Sequence, residues 1–65
     1  MREPDRLDRL YEYLKDIHKQ NFPDWRFFQL VYNFLSWYGQ DPFFIEDDKV
    51  YELVDKFVKG EKLNG

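Results

Sequence analysis

A chain of 65 residues with no cysteine and a net charge of −3 is read as one small domain without disulfides or thiolate metal sites. Its pI near 5.0 argues against a surface that grips a phosphate backbone, which shows as a basic face and a high pI. No apolar run approaches the roughly 20 residues that span a bilayer. The stretch from Met1 to Arg6 lacks the apolar core of a signal peptide, so the sequence reads as cytoplasmic.

Domains of this length bury only about 60% of the surface their unfolded chain exposes. Seven Phe, five Tyr and two Trp are therefore expected to carry the core, at roughly 150–250 Å² per ring. The predicted architecture is all-α: one domain over 1–65, with helices at about 5–20, 25–38 and 47–59 and a frayed tail at 61–65.

The first helix opens at Pro4 and Asp5, residues suited to a first turn and to the positive end of the dipole. Leu7, Leu10, Tyr11, Leu14, Ile17 and His18 share one stripe, the mark of an amphipathic helix. Arg6, Asp8, Arg9, Glu12, Lys15, Asp16 and Lys19 fill the other face, where Asp5–Arg9 and Glu12–Lys15 stand at pairing distance. Asn21 and Pro23 end this helix.

Asp24 reads as the N-cap of a second helix that stops at Gly39. Phe27, Phe28, Leu30, Val31, Phe34, Leu35, Trp37 and Tyr38 cover about half its circumference, and Trp25 and Tyr32 widen that arc. This pattern predicts a central helix covered by the other two. Arg26, Gln29, Asn33 and Ser36 line the remaining side. Tyr13, Trp25 and Tyr32 are the rings least easily covered, and they are the predicted interface aromatics.

Gln40 to Ile45 is a connection with an Asp-Pro turn and three large apolar residues, expected to fold back and plug the core. Glu46, Asp47 and Asp48 open the third helix at its positive dipole end, with one Asp as cap. Val50, Tyr51, Leu53, Val54, Phe57 and Val58 form its apolar face, and Gly60 ends it.

Candidate chemistry is thin. His18, the lone histidine, lies on an apolar stripe without a nucleophile or orienting acid at hand, and it reads as a packing residue. Asp41 to Glu52 has the length of a calcium loop, but Phe43, Ile45 and Glu46 stand where oxygen ligands and glycine are needed. The acids Glu46, Asp47, Asp48 and Glu52 are explained by helix capping. The connection before the third helix is too long for a helix-turn-helix. No catalytic residue, metal or cofactor is predicted, and the chain does not read as an enzyme.

The residues Pro23-Asp24-Trp25-Arg26-Phe27-Phe28-Gln29-Leu30 and Asp41-Pro42-Phe43-Phe44-Ile45-Glu46-Asp47-Asp48 resemble a group of small uncharacterised bacterial and phage proteins. Their pattern runs P-D-x-R-x-G-Q-L, then D-P-F-Y-x-E-D-D, with Phe28 here in place of a frequent glycine and Phe44 in place of tyrosine. The resemblance covers about residues 22–48. It implies a bacterial or phage origin and assigns no activity.

The expected function is a non-catalytic protein-interaction module, with self or another protein as partner and a homodimer as one form. The alternative is a small regulator that acts on nucleic acid, directly or through a partner. Arg26, Gln29 and Asn33 are expected to form one of two things. One is a latch, with Arg26 on the acids Glu46, Asp47 and Asp48 while the two amides hold the 40–45 loop. The other is an open binding stripe.

Overall fold

A computed structural model describes residues 3–62. Among these the chain is all-α, with α1 (Arg6–Asn21), α2 (Phe27–Tyr38), a short 3-10 turn at Pro42–Phe44, and α3 (Asp47–Lys59). No described helix is long and apolar enough to cross a membrane.

The helix ends follow local hydrogen bonding. Asn21 closes α1, and its side-chain amide donates to the Ile17 carbonyl at 3.1 Å. Pro23 prevents any continuation. The Trp25 N–H bonds the Phe22 carbonyl at 3.0 Å and closes a turn over the Pro-Asp pair. That turn displaces the expected cap: α2 starts two residues later, Arg26 holds the extended cap position, and Gln29 Oε1 accepts the Arg26 N–H at 2.7 Å. This is the return half of a capping box. At α3 the cap position is likewise Glu46 rather than either Asp.

Gly39 and Gly60 take left-handed backbone at φ 72° and 75°, where a side chain is strained. After Gly60 the Glu61 N–H reaches the Lys56 carbonyl at 3.0 Å and the Gly60 N–H reaches Phe57 at 3.1 Å, a Schellman end. The Trp37 indole N–H also donates to the Glu61 carbonyl at 2.7 Å. The predicted fraying therefore does not begin at Glu61; positions 63–65 lie outside the described residues.

Contacts between α1 and α3 rise together in number: Arg6 with Asp47, Tyr13 with Tyr51, and Phe22 beyond α1 with Phe57. The two helices thus run side by side in the same direction. Each of α1 and α2 packs on α3, so α3 is central and α2 is not. Two single-stripe helices close on each other, and α2 is left with more apolar surface than its one substantial neighbour covers. Leu10 and Val54 are the buried residues of the core, while α2 has no fully buried residue. Phe57 gathers the aromatic packing, with ring centroids at 5.7 Å to Phe22, 6.5 Å to Trp25, and 5.6 Å to both Phe34 and Trp37.

The 40–45 loop does not plug the core. Asp41 Oδ1 accepts the Phe43 N–H at 3.0 Å and sets the Pro42 turn. Phe43 and Phe44 then point outward and pack edge to face on each other at 4.9 Å.

Candidate functional site

The sequence-predicted residues separate into three places. Tyr13 lies in the contact between α1 and α3: its hydroxyl donates to the Tyr51 carbonyl at 3.2 Å and its ring lies 4.9 Å from that of Tyr51. Burial pushes its phenol above the ordinary value, and the nearby Asp55 charge adds to the shift. It was read as uncovered because it lies beside the main stripe of α1. Yet the side of α1 that meets α3 is the one carrying Leu10, Tyr13 and Arg6.

The latch does not form. Arg26 is exposed and makes no ion pair with the 46–48 acids, and Gln29 is engaged by the Arg26 backbone rather than by the 40–45 loop. Asp47 is held by Arg6, with Nε donating to Oδ2 at 2.6 Å. A half-buried partner on α1, placed by the parallel packing, reaches it where Arg26 does not. Glu46 and Asp48 are exposed beside it. Among the described residues no three His, Cys, Asp or Glu side chains are grouped to hold a metal ion.

The rest of the stripe joins two of the predicted aromatics. Trp25, Phe28 and Tyr32 with Gln29 and Asn33 line a shallow hollow of about 380 Å³ on one side of α2. Trp25 is stacked on Phe22 at 4.1 Å, and its carbonyl accepts from His18 Nε2 at 2.7 Å. His18 is thereby a structural tie between α1 and the turn that follows it, with its Nε2 proton engaged.

The larger feature lies on the opposite side of α2. Because α1 and α2 both lean on α3, a groove of about 570 Å³ opens between them. From α1 it takes Tyr11, Leu14, Ile17 and His18, and from α2 Phe27, Leu30, Val31 and Phe34; Val50, Val54 and Phe57 of α3 form its floor. Both walls have the three-and-four spacing of an apolar helix face. Among the described residues Lys15 is its one fully charged lining residue, and it is tied to Glu12 at 2.7 Å. That hydrogen bond holds the Lys15 ammonium above its ordinary pKa.

These wall residues were read in the sequence as core. Periodicity reports that a helix side is apolar and not what covers it. The available signal was the excess width of the α2 arc over what two single-stripe neighbours can cover.

No protein-family model, curated protein or solved structure matches the chain.

Proposed function

We propose that the chain is a non-catalytic protein-interaction module whose binding surface is the α1–α2 groove, working in the cytoplasm of a bacterial or phage-infected cell. The observation that carries this reading is the groove's composition. It is an open, helix-walled apolar trough with few polar groups, of which His18 Nε2 is paired with the Trp25 carbonyl and Lys15 with Glu12. A small molecule needs a few convergent polar groups to orient it, and this lining is almost wholly apolar, with Tyr11, Lys15 and His18 the polar side chains among the described residues. An amphipathic helix laid between two helices needs only apolar anchors at three-and-four spacing. The exposed rings around the groove fit the same use, since large exposed apolar patches mark interaction sites.

Replacing Tyr11 by photoreactive benzoyl-phenylalanine in the native host tests this reading, with Asp16 on the outer face of α1 as control position. The expected result is a protein adduct from position 11, absent from position 16 and abolished by Phe27→Asp. Equal adducts from both positions, or none from position 11, refute the groove as the binding surface.

A further inference from the structure

We infer that the occupant of the α1–α2 groove is a second copy of this chain, related to the first by a two-fold axis. The inference rests on the interaction-module reading above and names its partner.

The first argument is the core. A 65-residue chain without cysteine has only Leu10 and Val54 buried among its described residues. Domains this small need disulfides, a metal, dense packing or association. The first is absent from the sequence, no metal group is assembled among the described residues, and six of the fourteen rings (Tyr11, Phe27, Phe28, Tyr32, Phe43 and Phe44) stay exposed instead of packing. Association is the remaining means by which this sequence covers its apolar surface.

The second argument is area. Tyr11 is 66% exposed and Phe27 61%. At roughly 150–250 Å² per ring these two present on the order of 250 Å². The half-buried groove walls, with Leu14, Ile17, Leu30 and Val31, add to the same face, and an exposed apolar face of about 300–600 Å² is of the size that marks an interaction site.

The third argument is shape and charge. Phe27 lines the groove wall, is 61% exposed and is braced edge to face by Phe28 at 4.9 Å. A two-fold axis matches like surfaces to each other, so Phe27 of each copy meets the groove of the other. The chain carries net charge −3, yet among the described residues no carboxylate lines the groove. Two such faces meet without the like-charge repulsion that the outer faces would bring.

Sedimentation equilibrium of the purified full chain from about 1 to 200 µM, with melting curves at each concentration, tests the inference. The expected mass is twice 8.2 kDa, with a Tm that rises with concentration. Phe27→Asp and Tyr11→Glu place a carboxylate in the interface twice, once per copy. Each should weaken association at least about tenfold, while Tyr32→Glu on the opposite side of α2 stays dimeric. Phe27→Asp puts an acid in the first turn of α2, where the dipole favours it, and circular dichroism reports whether each variant is helical.

A wild-type mass of 8.2 kDa across the range with a concentration-independent Tm overturns the inference. So does a dimer that Tyr32→Glu dissociates and the groove variants do not. A monomer that still gives the position-11 adduct with a different protein overturns the self-association alone and leaves the module standing. Loss of both removes the two together.

Discussion

Phe57→Ala should be the most damaging single truncation in the chain. Among the described residues its ring is the only one within 5.6–6.5 Å of rings from the α1–α2 turn and from α2 together: Phe22, Trp25, Phe34 and Trp37. Truncating a buried Phe costs about 3–5 kcal/mol. Phe57 is half-buried, so the low end applies, near 3 kcal/mol, with the lost ring–ring preference already inside that range. For a domain of this size each 1 kcal/mol moves Tm by roughly 4–8 °C, so a fall of about 12–24 °C is expected. The assay is a circular dichroism melt at one fixed protein concentration, because association would otherwise contribute. Phe43→Ala is the reference, since that ring is exposed in the loop and such changes stay within about 0.5 kcal/mol. Phe34→Ala should fall between the two, because Phe34 packs on Phe57 from one side and faces the open groove on the other. If Phe57→Ala melts within a few degrees of the wild type, or no lower than Phe43→Ala, the aromatic hub does not hold the helices together.

Tyr13→Phe should cost about 0.5–1.5 kcal/mol for the lost bond to the Tyr51 carbonyl. It should also flatten the alkaline side of the stability profile. The folded pKa is raised, so the tyrosine's contribution is complete below the unfolded value near 10 and is lost as pH rises through the folded value; a Tm series across that window should be shallower in the variant. Gly60→Ala should lose about 1–2 kcal/mol by urea titration. A Cβ there meets nothing within 4 Å, so the cost is conformational and Gly60→Asn should recover part of it. The Arg6–Asp47 pair is about one-third exposed on both sides, and a double-mutant cycle with Arg6→Gln and Asp47→Asn should give a coupling of at most about 1 kcal/mol. Asp47→Asn alone should cost more than Arg6→Gln, because Asp47 also sits in the first turn of α3, where its charge favours the dipole; a reversed order would show that the ion pair dominates.

The three helices were legible because each has a run of apolar residues at helical spacing and a chemical stop, with Asn21-Phe22-Pro23, Gly39 and Gly60 all acting as the sequence predicts. The packing was less legible. The breadth of apolar surface on α2 suggested a covered centre, and the structure gives that place to α3, whose narrower stripe meets both of the other helices. Phe43 and Phe44 were expected inside because they are apolar; the Asp41 cap on the Phe43 N–H turns them outward, and hydrophobicity alone does not encode that direction. For the site, Trp25, Tyr32, Gln29 and Asn33 were each singled out and do share a hollow. The walls of the larger groove read as core because Leu14, Leu30, Val31 and Phe34 have the same pattern whether they face a neighbour or a gap. Arg6 was assigned to the solvated face of α1 and instead bridges to α3, a contact that follows from the parallel packing of two helices distant in sequence.

The parallel course of α1 and α3 has a consequence for how the chain reaches this structure. The contacts that join them, Arg6 to Asp47 and Tyr13 to Tyr51, lie 41 and 38 residues apart. Neighbours in sequence, α1 and α2, form no comparable interface. An antiparallel helical hairpin closes over about five residues; closing about 40 costs on the order of 2 kcal/mol more in chain entropy. Non-local closure of this kind slows folding relative to bundles built from adjacent hairpins. During synthesis α1 emerges early and has no native partner until α2, the loop and α3 have all been made. Through that interval its apolar stripe stays uncovered, which exposes α1 to the aggregation that transiently uncovered apolar surface invites.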